Sequence, residues 1–182
     1  MTNRLPLRSV ATVTALVLLG LPVTGCSADS TTADTRTTAE SHSDGPTPET
    51  ADAATTARMG LSAMFSWQPS TDAGPGAAMA RAVAWLTGEL ATTATTTAPA
   101  SGVRPPPQWQ EWRDSGDIVT ALVEAQPPRT VGAETSVAAV VTQLVLHRDG
   151  SATRYQRLHV TATVVNTTAG WRMAGYRVNP GT

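Results

Sequence analysis

The chain of 182 residues carries 13 basic and 14 acidic side chains, a net charge of −1 at neutral pH and a pI near 6.3. A near-neutral chain offers no electrostatic basis for nucleic-acid binding, so we expect no nucleic-acid partner. The single Cys excludes an internal disulfide, so an exported domain would be held together by packing. Every basic residue is Arg, and with the many Ala and Thr residues this composition suggests a high-GC genome, such as that of an actinobacterium.

The first 25 residues have the three parts of an export signal. Arg4 and Arg8 supply a positively charged start, and residues 10–21 form an apolar run of 12 residues. That run is too short to cross about 30 Å of hydrocarbon as a stable membrane span. We therefore predict that residues 1–25 are a lipoprotein signal peptide that is removed during export.

Cys26 follows Val23, Thr24 and Gly25, and this tetrapeptide resembles the lipobox of bacterial lipoproteins. The resemblance implies that the Cys26 thiol receives diacylglycerol and that the chain is cleaved just before it. Burial of two or three acyl chains, at about 0.8 kcal/mol per CH₂, would anchor the protein stably. The expected location is the outer leaflet of the cell membrane, facing the extracytoplasmic space. The alternative is an ordinary signal-peptidase site after Ala28, without a lipid.

The segment 26–53 is predicted to be a lipidated, disordered tether. Residues 27–53 contain no Leu, Ile, Val, Met or aromatic residue, so they cannot bury enough apolar area to offset the entropy of ordering. Such a chain has a root-mean-square reach of about 30 Å. His42 lies within it without a second ligand nearby, so we expect no metal site there. Residues 54–182 are predicted to form a single folded domain.

Two helices are predicted at the start of this domain. The spacing of Leu61, Met64 and Phe65 predicts the first helix over 54–67. A second helix is predicted over 75–91 from a stripe of apolar residues at helical spacing. This stripe consists of Met79, Val83, Leu86 and Leu90.

A loop and a short helix are predicted to follow. Residues 91–102 are rich in Thr and Ala without periodicity, which indicates a loop. Trp109 and Trp112 share one face of a predicted short helix over 108–115, and Gly116 stands where a C-cap would.

The remainder of the domain has the period of two that is typical of β-strands. The dipeptide Asp149-Gly150 is a strong signal for a hairpin between two of the strands. The order of elements predicts an α+β fold with helices packed on one face of an antiparallel meander. The predicted strands cover 117–125, 136–147, 153–165 and 171–178.

This arrangement resembles the nuclear-transport-factor-two-like family, a cystatin-like roll with two or three N-terminal helices on a curved four-stranded antiparallel sheet. Three features of the sequence carry a narrower resemblance. They are Phe65-Ser66-Trp67, the run of Asp72, Arg81-Ala82 and Trp85-Leu86-Thr87, and Gly170-Trp171-Arg172. In these residues the chain resembles actinobacterial accessory domains of that group, including those associated with mammalian-cell-entry lipid-transport systems and the scaffold subunits of conjugation machines. Those relatives usually keep an uncleaved transmembrane helix, whereas this chain has a lipobox.

Rolls of this kind sometimes enclose a pocket with an Asp–His or Tyr–Asp pair, as in small isomerases. In a simple hairpin register His159 lies opposite Val140 on the polar face, with no carboxylate in reach. Asp117 follows a helix end and is expected to begin a strand rather than to act as an acid or base. The candidates that the resemblance implies are His147, His159, Asp117, Glu124 and Tyr155.

Other catalytic patterns are absent from the sequence. No His, Cys, Asp or Glu residues have metal-ligand spacing, and no Gly-rich phosphate loop or Gly-x-Ser-x-Gly nucleophile elbow is present. We therefore predict no catalytic residue, no metal and no cofactor.

Arg81 and a cluster of Trp residues are expected to stabilise the fold. Arg81 lies between the apolar positions of the second helix, and it is expected to pair with Asp72 or with a carboxylate of the sheet. Asn166-Thr167-Thr168 is explained by turn chemistry. The residues expected to anchor the core are Trp67, Trp85, Trp109 and Trp112.

The sequence therefore predicts a membrane-anchored extracytoplasmic lipoprotein that serves as a non-enzymatic accessory or scaffold domain of a cell-envelope system, in transport or conjugation. Its partners would be the membrane, through the lipid, and a protein of the envelope complex. The alternative is a binding protein for a small apolar or lipid-like ligand in the roll. A third hypothesis is an isomerase-like enzyme that uses His159 or Asp117.

Overall fold

A computed structural model describes residues 45–96 and 104–180. The predicted signal peptide, the lipobox residues Val23, Thr24 and Gly25, the lipidation site Cys26, and His42 all lie outside the described residues. The helices are α1 (Ala53–Phe65), α2 (Met79–Ala82), α3 (Gly88–Thr95) and α4 (Trp109–Ser115). The strands are β1 (Ile118–Ala125), β2 (Arg129–Val131), β3 (Glu134–Leu146), β4 (Ala152–Thr167) and β5 (Gly170–Asn179).

The strands form one curved antiparallel sheet in the order β1-β3-β4-β5, and β2 pairs with β3 beyond the end of β1. This confirms the predicted α+β class with helices on a curved antiparallel sheet. The four long strands begin and end within about two residues of their predicted positions. The short strand β2 was not predicted, because three exposed residues carry no periodic signal. Within the described ranges, no helix has the length and apolar character to cross a membrane.

Most of the interior is an aliphatic cluster between α1 and the sheet, which we call the roll core. It is built from Ala, Val, Leu and Met side chains, and its buried members include no aromatic residue. Gly60 of α1 allows close packing, because a Cβ there would lie 2.6 Å from the Met173 sulfur. The fully buried members of the roll core include Leu61, Val137, Val141, Val160, Val164 and Met173.

A second cluster, which we call the aromatic cluster, occupies one end of the domain. It contains Trp67, Trp109 and Trp112 with Val119 and Val145, and Ala78 and the partly buried Tyr155 pack with them. All four Trp residues predicted as core anchors are buried, Trp85 included.

The predicted second helix over 75–91 is wrong as a continuous element. The chain forms a 3₁₀ turn at Pro75–Ala78, then α2, then a 3₁₀ turn at Val83–Trp85, and α3 starts only at Gly88. Between them Leu86 is extended and forms a bridge with Met173, and the Thr87 N–H donates to the Met173 carbonyl at 2.9 Å. Pairing with β5 therefore overrides the helical period.

The predicted loop over 91–102 is wrong at its start. Helix α3 continues to Thr95, so the first residues of that stretch are helical. Its one buried residue, Ala94, belongs to the roll core, and this tertiary contact explains a helix that the unperiodic sequence did not indicate.

Residues 45–53, which the composition assigned to the disordered tether, are folded onto the domain. Arg172 donates a hydrogen bond of 2.7 Å to the Pro48 carbonyl, and Asp52 caps α1 by accepting from Thr55 N–H at 2.7 Å. Gly170, at φ +97°, makes the close approach possible, because a Cβ there would lie 2.9 Å from the Glu49 carbonyl oxygen. The tether prediction is therefore restricted to residues that the structure does not describe.

The β3–β4 hairpin forms at Asp149-Gly150 as predicted, and His159 lies opposite Val140. The simple register ends nearer the turn, where Gln143 pairs with Gln156 but Leu144 pairs with Arg154. This β-bulge leaves Tyr155 as the extra residue of β4. Tyr155 packs with the aromatic cluster.

Candidate binding site

A cleft with a volume of about 620 Å³ borders the aromatic cluster. Its size falls within the range of about 300 to 1,000 Å³ that is typical of ligand sites. Phe65 and Trp67 form one wall at the end of α1, and Tyr155 and Gln156 of β4 form another. The remaining lining residues are Pro75, Arg104 and the run Pro105–Pro107, and we call the whole site the aromatic cleft.

Trp67 is held rigidly on the wall of the aromatic cleft. Its backbone N–H donates to the Val119 carbonyl at 2.7 Å, and the Val119 N–H donates back to the Trp67 carbonyl at 2.9 Å. Its ring centroid lies 5.8 Å from that of Trp109 and 6.3 Å from that of Tyr155. Such tilted and edge-on contacts are favourable, so this wall needs little reorganisation to bind a ligand.

Tyr155 reaches the aromatic cleft because of the bulge in β4. Its ring meets Trp112 edge-on, with a centroid distance of 5.0 Å and an interplanar angle of 85°. Desolvation by burial raises the pKa of the Tyr155 hydroxyl, so it is a neutral donor at physiological pH. Within the described ranges this hydroxyl has no hydrogen-bond partner in the protein, which leaves it available to a ligand.

Buried amides connect the aromatic cleft to the roll core. Gln143 is fully buried and donates from Nε2 to the Phe65 carbonyl at 2.6 Å. Because a carbonyl only accepts, this bond fixes the orientation of Gln143, whose Oε1 then accepts from Gln156 Nε2. Gln156 keeps one amide hydrogen and its Oε1 free of protein partners among the described residues.

An ion pair between the exposed Arg81 and the buried Asp72 supports the loop that follows Trp67. Arg81 binds Asp72 through two hydrogen bonds of 2.7 and 2.9 Å and also donates to the Ser66 carbonyl at 2.7 Å. This confirms the predicted Arg81–Asp72 pair. Arg113 of α4 donates to the carbonyls of Pro69 and Asp72, which joins the same loop to the aromatic cluster.

The pKa of Asp72 is lowered from its ordinary value of 3.8. Burial, the largest single influence, acts to raise this pKa. The hydrogen bonds from Arg81 and from the Gln68 N–H, together with the positive charge of Arg81, outweigh it. Asp72 is therefore ionised in the folded protein near neutral pH.

Two of the candidate catalytic residues meet at the hairpin, outside the aromatic cleft. His147 Nδ1 lies 3.0 Å from Asp117 Oδ2, and His147 Nε2 lies 2.5 Å from Thr153 Oγ1. This chain of contacts has the connectivity of a carboxylate–imidazole–hydroxyl triad. None of its three members lines the aromatic cleft, and their bonds join the starts of β1 and β4 to the end of β3.

The other candidates are separated from this pair. His159 is exposed on the outer face of β4, as predicted, and Glu124 is exposed on β1. His147 was expected to be exposed, but its side chain is 32% accessible and bonded at both ring nitrogens. Across 45–96 and 104–180, no group of three or more His, Cys, Asp and Glu side chains is arranged to hold a metal ion.

Sequence reasoning did not anticipate the polar part of this site. Gln143 continues the buried alternation of Val137, Ala139 and Val141 in β3. A polar residue on a buried face needs a partner, and this was the available signal. Arg104 and the proline run gave no signal of their own, because only the folded chain brings them beside Trp67.

Comparison with known proteins gives little further information. No protein-family model matches the chain, and no curated protein matches it. Among solved structures, one match is the intermembrane-space region of the chloroplast protein ARC6, with a TM-score of 0.38 and 16% sequence identity. That match covers 72% of this chain and 99% of the other.

Proposed function

We propose that this protein is a lipid-anchored extracytoplasmic accessory or scaffold lipoprotein of a cell-envelope system, in transport or conjugation, and that it acts by binding. Cys26 provides the anchor in the outer leaflet of the cell membrane. The aromatic cleft provides the binding surface. The observation that carries the binding role is the rigid aromatic wall of Trp67 and Tyr155 beside free polar groups, since buried aromatic residues supply most of the energy at many interfaces.

The position of Pro48, near the start of the described chain, supports this proposal. The chain enters the domain beside β5, where Arg172 holds Pro48 and pairs with Val165 of β4. Gln156 lies nine residues earlier in β4, which corresponds to roughly 30 Å along the strand. The aromatic cleft and the segment around Pro48 are therefore near opposite ends of β4. The cleft lies far from the described residues through which the chain enters the domain.

The anchor is tested by the substitution Cys26→Ala. The protein should leave the membrane fraction and lose labelling by a fatty-acid probe, because the acyl acceptor is gone. The wild-type chain, expressed at the same level, is the control. Retention of the Cys26→Ala variant in the membrane fraction would contradict the lipid anchor.

The binding role is tested by photo-crosslinking in cells that express the full chain. A photoreactive residue replaces Gln156 in the aromatic cleft, and the matched control carries it at Thr168, in the exposed turn at the other end of β4. We expect one discrete crosslinked envelope protein at position 156, absent at 168 and lost when Cys26→Ala removes the anchor. Identical crosslinking at both positions would exclude the cleft as the binding surface.

A small apolar or lipid-like ligand is the second candidate occupant. The volume of the aromatic cleft and its aromatic and proline lining favour it. A small ligand would occupy the same cleft as the partner protein. Crosslinking at position 156 distinguishes the two, because the crosslinked product contains either a small molecule or a protein.

A further inference from the structure

The described lining of the aromatic cleft carries only positive charge. Of the nine residues that line it in the described part of the chain, Arg104 alone is charged. Arg104 is exposed and makes no hydrogen bond or ion pair with the residues of 45–96 and 104–180. Among those residues its guanidinium group has no competing partner, so it can bind a carboxylate or phosphate, whose oxygens match its planar set of donors.

The rest of the lining suits an apolar group. Phe65, Trp67 and Tyr155 contribute three aromatic rings, and four prolines add flat aliphatic surface. Trp67 and Tyr155 are held by the ring contacts described above, and the Phe65 ring packs edge-on against Tyr176 at 5.9 Å. An alkyl chain or apolar ring could be buried here without first ordering the protein.

Two neutral polar side chains can form hydrogen bonds with a ligand in this cleft. Gln156 has a free carbonyl oxygen and one free amide hydrogen, and the Tyr155 hydroxyl has no protein partner within the described ranges. Both side chains lie on β4, whereas Arg104 precedes the proline run, so the polar contacts come from different walls. An anionic head group can accept hydrogen bonds from Arg104, from the Tyr155 hydroxyl and from the Gln156 amide hydrogen, and an apolar body can cover the rings.

We propose, on the basis that this protein acts by binding, that the aromatic cleft takes an anionic amphiphile. The apolar body lies against Phe65, Trp67 and Tyr155, and the anionic head binds Arg104. A fatty acid and a lipid phosphate share this chemistry, and the probes below separate them. The proposal therefore adds a chemical class of small ligand to the protein partner proposed above.

The test measures quenching of tryptophan fluorescence by bromododecanoate in the full-length chain carrying Cys26→Ala, which has no acyl group of its own. Dodecanoate, dodecyl phosphate, dodecanol and dodecyltrimethylammonium then compete with it. We expect saturable quenching that one or both anions reverse, and that the neutral and cationic probes reverse at least fivefold less well. The better anion identifies carboxylate or phosphate as the head group.

Substitutions in the aromatic cleft test where the ligand binds. Arg104→Gln should weaken binding of the anion about two- to fivefold, as expected for an exposed charge. The matched control Arg58→Gln, at an exposed position of α1 outside the cleft, should leave it unchanged. Tyr155→Ala and Phe65→Ala should each weaken binding about tenfold or more, and circular dichroism identifies any variant that fails to fold.

Several outcomes would overturn the proposal. Equal competition by dodecyltrimethylammonium or dodecanol would exclude recognition of the negative charge, and an unchanged affinity in Arg104→Gln would exclude this residue as the head-group site. Absence of saturable quenching would exclude an amphiphile from the cleft. In that case a crosslinked protein at position 156 would still support the proposed function, so the two failures are distinguishable.

Discussion

The roll core and the aromatic cluster are built from different side chains and have different tasks. Buried Ala, Val, Leu and Met residues fill the roll core between α1 and the sheet, and aliphatic packing of this kind contributes mainly stability. The aromatic cluster is instead surrounded by polar links, namely the Asp72–Arg81 pair and the Asp117–His147–Thr153 contacts. These links hold rigid rings beside an open cleft.

Because the two regions are built from different side chains, stability and binding should be separable by substitution. Gln143 is the point where the two regions meet, because its amide joins the Phe65 carbonyl to Gln156 in the wall of the aromatic cleft. Substitutions within the roll core should change the free energy of unfolding. Substitutions around the aromatic cluster should change the geometry of the cleft as well as the free energy of unfolding, whereas those in the roll core should leave the cleft unchanged.

The largest effect is expected for Leu61→Ala in the roll core. Leu61 is fully buried, so the cavity left by truncation should lower the free energy of unfolding by about 2 to 5 kcal/mol, as measured by urea denaturation. The control Leu122→Ala, at a position that is 55% exposed, should change it by about 0.5 kcal/mol or less. If Leu61→Ala also weakened amphiphile binding to the folded protein more than twofold, the two regions would not be separable.

An intermediate effect is expected for Asp72→Asn beside the aromatic cluster. Loss of the carboxylate removes two charged hydrogen bonds with Arg81, which is 37% exposed and is then hydrated by solvent, and should cost about 1 to 3 kcal/mol near neutral pH. Asp114→Asn, at an exposed site on α4, is the matched control and should have little effect.

The Asp72 carboxyl also determines how the free energy of unfolding changes with pH. Because the pKa of Asp72 is lowered in the folded state, its stabilisation is fully present above its ordinary value of 3.8 and is lost as the pH falls through the folded-state pKa. Urea denaturation at several pH values should therefore show the wild type and Asp72→Asn converging as the solution becomes acid. A difference that stays constant down to the lowest pH would contradict this assignment.

The smallest effect is expected from a comparison within the aromatic cluster. Trp109 and Trp112 are equally buried, but the Trp109 indole N–H is buried without a hydrogen-bond partner among the described residues. Removal of an unpaired buried donor offsets part of the packing loss. We expect Trp109→Phe to be about 1 kcal/mol less destabilising than Trp112→Phe in the same urea assay. The reverse order would contradict a cost from this unpaired N–H.

Local pattern was sufficient to predict the fold class and most of the elements. The helical spacing of Leu61 and Met64 predicted α1, and the period of two over 153–165 predicted β4. Burial on one face of an element imposes its period on the sequence, so such elements can be predicted without the fold. The Asp149-Gly150 turn likewise predicted the pairing of His159 with Val140 correctly.

Prediction failed where a distant contact overrides the local pattern. The apolar stripe through Leu86 suggested one helix, but Leu86 pairs with Met173, which lies far away in the sequence. The composition of residues 45–53 suggested disorder, but Arg172 binds the Pro48 carbonyl. In both cases the deciding partner belongs to β5, and no window of local sequence contains it.

The α+β class, the hairpin and the expected lipid anchor at Cys26 follow from the amino-acid sequence, because each depends on residues that are close together in the chain. The location of a binding site depends on the tertiary structure. The aromatic cleft is assembled from the end of α1, the proline run and the bulge at Tyr155, and these meet only when the roll core is packed. A site made from distant segments leaves no periodic signal, since each residue's role depends on neighbours that folding supplies.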